Sequence, residues 1–242
     1  MSEKESATKN EQARRVREMF AAIAARYDLL NHLLSGNIDK RWRRLVATTL
    51  YQRLPAGGGR ILDVACGTGD LSLTLSGGGN AQIVGIDFCR PMLDIAASKS
   101  SKRGSEIPFI EGDALALPFR DGSFDGATIG FGLRNLASVE AGLRELLRVL
   151  KPGGRVAVLE FSSPESAIFR ALFKVYFTKL LPLVGGLISG SRGAYQYLPE
   201  SVSHFPNQEE LSSMMKEAGF EEITYQNLTG GIAALHLGKR PH

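Results

Sequence analysis

The sequence is short of several things. It has two cysteines, four histidines and one tryptophan in 242 residues. Cys66 and Cys89 cannot make a disulfide framework and show no zinc spacing, so a reducing cytoplasm is the expected compartment. His32, His204, His236 and His242 share no metal-like spacing, and no metal is expected. No apolar run is long enough to span a bilayer. The longest uncharged one near the middle, "LLPLVGGLISGS" at 180–191, carries Pro182 and a glycine pair. The opening "MSEKESATKNEQ" lacks an apolar core and does not read as a signal peptide. A soluble or peripheral protein is expected. Neither charge sign dominates: the net charge is +4, which tolerates anionic partners but demands none. Arg14, Arg15 and Arg17, then Lys40, Arg41, Arg43 and Arg44, form two small basic clusters. They read as solvated helix faces or as a membrane-facing surface. There is no long basic stripe, so no nucleic-acid partner is expected.

What is present is an alternation of apolar runs and helical periods. Residues 1–10 read as a loose tail, followed by helices over 11–26 and 39–54. "RILDVAC" (60–66), "AQIVGID" (81–87), "IPFIEGD" (107–113), "FDGATIG" (124–130) and "RVAVLEF" (155–161) read as buried strands. Helices fall between them at 69–76, 91–101 and 138–150, the last capped by Ser138 and stopped by "KPGG". This alternation means a parallel sheet with right-handed crossovers. Residues 165–205 break the rhythm. Asn207 with Glu210 forms a capping box for a helix at 207–218. "FEEITYQ" and "IAALHLG" then follow, joined by "NLTGG", too short for a crossover, so they must pair antiparallel. The expected fold class is α/β: a doubly wound, mostly parallel sheet ending in an antiparallel hairpin.

"LDVACGTGD" (62–70) joins the first strand to the first core helix. Gly67 and Gly69 permit a sharp turn and a close ligand approach. The third glycine of the dinucleotide fingerprint is replaced by Ser72, which weakens a reading as an NAD-dependent oxidoreductase. Asp87 closes the second strand, where a carboxylate can accept both hydroxyls of an adenosine ribose. Asp113 follows the third strand and can accept from an adenine amino group. Asp63 lies inside the glycine motif, where negative charge suits the cationic end of S-adenosylmethionine and would repel a pyrophosphate.

The motifs "DVACGTGD", "GID", "EGDALALPF" and "RVLKPGG" together resemble class I S-adenosylmethionine-dependent methyltransferases. "YDLLNHLLSGNIDKRWR" (27–43), "GFGLRN" (130–135), "RVLKPGGRVAVLEFSSP" (148–164) and "YQYLPESVSHFP" (195–206) narrow the resemblance to the ubiquinone/menaquinone biosynthesis C-methyltransferases. It covers nearly the whole chain after the tail. Asn37, Asp39 and Gly130 depart from it, standing where the family often has glycine, histidine and serine.

The resemblance implies S-adenosylmethionine as cofactor, S-adenosylhomocysteine as product, and a polyprenyl quinol as substrate. That quinol is demethylmenaquinol, or a methoxy-polyprenyl-benzoquinol. By resemblance Thr68, Asp87, Asp113 and Ala114 bind the cofactor, with Gly67, Gly69, Asp63 and Gly130 around it and Tyr27 and Asp28 closing over it. Arg134 and Asn135 are the expected catalytic pair, at the crevice rim. Arg134 would hold the developing phenolate, since a guanidinium is not normally a base, and Asn135 would bond a ring oxygen. Tyr195, Tyr197 and His204 are expected at the substrate; with Asp28 and Glu160 they are the candidates for the base. Residues 1–56 would cover the cofactor site, 57–164 form the cofactor-binding core, 165–206 cap the substrate and 207–242 complete the core, one domain overall. Ile168, Phe169, Leu172, Phe173, Tyr176 and Phe177, with Arg170, Lys174 and Lys179, suit a prenyl tunnel or transient contact with the inner face of a membrane. A homodimer is compatible with the sequence. The rivals are the oxidoreductase, a nucleic-acid methyltransferase, whose N-P-P-Y type motif is absent, and a binding module without turnover.

Overall fold

The computed structural model describes residues 3–55, 58–164, 166, 169–171 and 192–242. Five strands lie parallel: β1 (Arg60–Val64), β2 (Gln82–Asp87), β3 (Phe109–Glu111), β4 (Phe124–Gly130) and β5 (Leu150–Phe161). β6 (Glu221–Leu228) and β7 (Ala233–Lys239) form the expected antiparallel hairpin, and β7 also pairs antiparallel with β5. The sheet order is β3-β2-β1-β4-β5-β7-β6. The chain therefore winds outward from β1 in one direction and from β4 in the other. The crevice of such a sheet opens where those two strands part.

Helices cover both faces. On one face α2 (Ile38–Tyr51) and α3 (Asp70–Ser76) pack Trp42, Val46, Leu50 and Leu75 onto Ile61 and Ala157. On the other α5 (Val139–Val149) and α7 (Gln208–Glu217) pack Leu143, Leu146 and Met215 onto Leu62, Ile129 and Val158. Truncating any one of these buried leucines to alanine should cost about 2–5 kcal/mol. Both expected caps form: Ser138 Oγ accepts from the Ala141 N–H, and Asn207 with Glu210 completes a capping box. α4 (Arg90–Lys102) joins β2 to β3, and α6 (Arg192–Ser203) precedes α7.

Three expectations need correction. α1 runs from Glu3 to Leu34, so the helix starts inside the expected tail. No proline or glycine interrupts that stretch; the chain turns only where Gly36 and Asn37 take φ of 59° and 63°. That left-handed backbone also explains why glycine suits position 37. "KPGG" does not separate helix from strand. α5 ends at Val149, and β5 begins at Leu150 opposite Phe124; the register then jumps to Gly126 opposite Arg155. The four residues bulge out, with Gly153 at φ 77°. β3 is shorter than expected, three residues. Of the apolar–basic stretch at 165–190, Ile168, Leu172, Phe173, Lys174, Tyr176, Phe177 and Lys179 lie outside the described residues. Among the described residues no helix is long and apolar enough to cross a membrane.

Candidate active site

A cavity of about 370 Å³ lies at the carboxyl ends of the parallel strands. Gly67, Asp87, Asp113, Ala114, Gly130 and Asn135 line it from the sheet, and Arg17, Phe20 and Tyr27 of α1 from above. The ends of β1 and β4 are distorted to make it. Ala65 and Phe131, both lining residues, take φ of 51° and 58°. Such backbone costs of order 1–3 kcal/mol per residue and persists only when its surroundings enforce it. The two strand ends pack closely at this point: a Cβ on Gly132 would lie 2.5 Å from the Ala65 Cβ, so only glycine fits there.

Asp87 is the best-prepared acceptor. One carboxylate oxygen accepts the Gly67 N–H at 2.8 Å and the other the Cys89 N–H at 2.9 Å. Burial pushes its pKa up, while these backbone donors oppose the shift. Each oxygen keeps a further lone pair, so the pair of oxygens suits a diol. Asp113 accepts the Leu115 N–H at 2.9 Å from an exposed position on the rim. The two loop glycines differ in purpose. Gly67 borders the cavity with little in the way of a Cβ. At Gly69 a Cβ would meet the Ala96 Cβ at 2.9 Å and the Phe109 ring at 3.1 Å, so that glycine lets the loop pack onto α4 and β3. Gly130 would place a Cβ 3.1 Å from Leu71 Cδ2, which fills the space a side chain there would need.

Three expected cofactor contacts stand behind the cavity wall. Asp63 is 1% exposed, accepting from Ser72 Oγ at 2.5 Å and Thr128 Oγ1 at 2.8 Å. Burial pushes its pKa up to about 6, and its carboxylate does not face the cavity. Thr68 is buried too, its hydroxyl donated to Asp28 Oδ1 at 2.5 Å. Gly69 is the third. Tyr27 does reach the cavity, and burial raises its pKa.

Arg134 departs most from expectation. It lies with Asn135 in a short 3-10 turn, Leu133–Asn135, after β4, but its side chain is enclosed, 5% exposed, instead of standing at the rim. Nη1 donates to Glu160 Oε1 at 2.8 Å and to the Phe131 carbonyl at 2.5 Å. The guanidinium also lies 5.3 Å from the centre of the Phe161 ring. The reason is Glu160, 1% exposed on the neighbouring strand β5: a carboxylate that deep needs a cation. Asn135 does line the cavity. Its Nδ2 donates to the Phe131 carbonyl at 3.2 Å, and its Oδ1 accepts the Tyr197 hydroxyl at 3.0 Å. Tyr197 thus ties α6 to the wall of the site, and burial raises its pKa. His204 is exposed near the end of α6, bonded through Nδ1 to the Glu200 carbonyl at 2.8 Å, and does not border the cavity. The side chain of Tyr195 lies outside the described residues. Among the described residues no group of histidines, cysteines and acids is placed to hold a metal ion.

A charged chain that the sequence did not announce fastens α1 over the cavity. Lys99 of α4 bonds Asp28 at 2.8 Å and also Asp70. Arg43 lies 3.3 Å from Asp70 and 2.6 Å from Asp39, and His32 Nδ1 meets Asp39 at 2.7 Å. Farther toward the N-terminus Arg17 pairs with Glu111 at 2.7 Å. Only Asp39 and Arg43, four apart on one helix, carry a local signal of this arrangement.

Residues 7–240 match the ubiE/COQ5 methyltransferase family. The demethylmenaquinone methyltransferase of Thermus thermophilus is 54% identical over 92% of this chain and 100% of its own length. The enzyme of the same name from Deinococcus radiodurans is 48% identical over 96% of this chain and 95% of its own. The ubiquinone/menaquinone biosynthesis C-methyltransferase UbiE of Geotalea uraniireducens is 44% identical over 95% and 98%. Among solved structures, an S-adenosylmethionine-dependent methyltransferase from Thermotoga maritima superposes with a TM-score of 0.63 at 21% identity, covering 92% of this chain and 98% of that one. The [4+2]-cyclase SpnF gives 0.63 at 23% identity, covering 82% and 81%. At such identities these structures speak for the fold alone.

Proposed function

The chain belongs to the ubiE/COQ5 methyltransferase family, and on that premise we propose that it methylates a ring carbon of a polyprenyl quinol, converting demethylmenaquinol to menaquinol. The observation that carries this reading is the cavity at the strand ends, with a backbone-supported carboxylate on one side and a carboxamide on the other. Bound S-adenosylmethionine supplies an electrophilic methyl group. The lining suits it: Asp87 would accept the ribose hydroxyls, Asp113 and the Ala114 N–H would meet the adenine, and Tyr27 would close from α1. Asp63, Thr68 and Gly69 shape the loop from behind.

The protein's remaining work falls on the nucleophile. A quinol hydroxyl, like that of tyrosine, has a pKa near 10, and its ionised form enriches the ring carbon. Asn135 would bond a ring oxygen and so orient the ring, and such positioning contributes on the order of several kcal/mol. Arg134, balanced by Glu160, is a positioning residue: it holds the Phe131 carbonyl on which Asn135 also rests. The protein works in the cytoplasm, and since a polyprenyl tail keeps the quinol in a bilayer, it meets its substrate at the membrane surface. The test is transfer of a labelled methyl group to reduced and oxidised demethylmenaquinone and to a reduced methoxy-polyprenyl-benzoquinone. Transfer to the reduced naphthoquinone above the others supports the reading. Equal transfer to the oxidised form defeats the quinol mechanism, and preference for the benzoquinol moves the substrate assignment.

A further inference from the structure

The two basic clusters of the N-terminal helices have different surroundings. Arg14, Arg15 and Arg17 on α1 each have a carboxylate partner, at 3.9, 2.5 and 2.7 Å. On α2, Arg43 is turned inward and neutralised by Asp39 and Asp70. Lys40, Arg41 and Arg44 are exposed, and among the described residues none of them forms an ion pair. The helix offers them no relief. Its one acid, Asp39, is 4% exposed and bound by His32, Ser35 and Arg43. The first turns of α2 therefore present three uncompensated cations over an inner face of Trp42, Val46 and Leu50.

A second observation adds an apolar element. Leu29 on α1 is 61% exposed, the more exposed of two large hydrophobic residues in that state among those described. It lies one turn before His32, whose ring holds Asp39, the neighbour of Lys40. Burying a leucine while leaving lysines and arginines among anionic head groups is the chemistry of a bilayer interface. A nucleic acid would use the cations but gains nothing from the leucine. We propose that the outward face of α2, with Leu29, docks this protein on an anionic lipid bilayer. The docking face is joined to α1, which roofs the cavity with Arg17, Phe20 and Tyr27. The proposal rests on the quinol reading only for its purpose, bringing the site to a membrane-held substrate.

Vesicle flotation of the full chain tests it, using phosphatidylcholine alone and phosphatidylcholine with phosphatidylglycerol. Wild type should float with the anionic vesicles at low salt and be released as salt screens the charges. Lys40→Glu, Arg41→Glu and Arg44→Glu combined should weaken binding by about 100-fold or more, from about a factor of five per cation. Leu29→Ser should weaken it several-fold. Arg14→Glu with Arg15→Glu, which reverses cations that are already paired, should change it far less. No binding by wild type, equal binding by the triple variant, or tighter binding to a short DNA duplex than to vesicles would overturn the assignment. A water-soluble short-chain quinol separates this from the reaction. The triple variant should methylate that quinol as wild type does and lose only the vesicle-embedded one. Should wild type bind anionic vesicles and methylate neither quinol, the docking face stands and the quinol reading fails.

Discussion

Asp87 and Glu160 are both buried carboxylates near strand ends of one sheet, and they are supported in opposite ways. Asp87 is held by two backbone N–H groups and still borders the cavity. Glu160 is held by the guanidinium of Arg134 and the Phe161 N–H, and borders nothing open. A carboxylate fixed by neutral donors keeps its charge available to a ligand; one fixed by a cation has spent it on the architecture. Asp63 is a third case: the Ser72 and Thr128 hydroxyls and the Ser72 N–H hold it without a direct ion pair, and burial raises its pKa to about 6. The Asp87 carboxylate thus faces the cavity, while the Arg134 charge is matched inside the wall by Glu160, with the buried Arg134 Nε left without a hydrogen-bond partner among the described residues.

Breaking the closed corner should have the largest effect. Glu160→Gln leaves the Arg134 charge buried without its partner, and unfolding should show a loss of about 3–5 kcal/mol. Replacing both residues by well-packed apolar ones should recover most of it. If Glu160→Gln unfolds like wild type, the corner is not an ion pair that the fold depends on.

Asp63 sharpens the contrast through pH. Its folded pKa is raised, so between about pH 4 and 6 the folded state keeps a proton that the unfolded chain has lost. Stability from this group therefore falls as pH rises through that window and stays lower above it. Asp63→Asn mimics the protonated form. The variant should match wild type below pH 4 and exceed it by about 3 kcal/mol above pH 6. A stability difference that does not change with pH would contradict the burial account.

The smallest effect belongs to the tie between α6 and the cavity wall. Tyr197→Phe removes the hydroxyl that Asn135 accepts, worth about 0.5–1.5 kcal/mol. Its KM for the quinol should rise by about two- to ten-fold while affinity for S-adenosylhomocysteine is unchanged. An equal loss of both would place Tyr197 at the cofactor.

What could be read beforehand divides along the same line. The glycine loop and the acids at the ends of β2 and β3 are legible because the backbone decides where they sit: the turns that leave the carboxyl ends of β1, β2 and β3 border the crevice. The hairpin and both caps follow from local spacing. Arg134 obeys no such rule. Its long side chain can turn outward or inward, and Glu160, which turns it inward, lies 26 positions away. Asp63 illustrates the same limit, since alternation along β1 and not membership of a motif aims its carboxylate at Ser72 and Thr128. Lys99 and Asp28, 71 positions apart, meet only because α1 crosses α4.

The most direct test is calorimetric titration of S-adenosylhomocysteine into wild type and Asp87→Asn. Asparagine keeps the size of the side chain but can no longer accept with both ends. The account predicts one saturable site in wild type and an affinity about 100-fold lower in the variant, about 2.7 kcal/mol, with the fold retained. Equal affinity in the two proteins would contradict it.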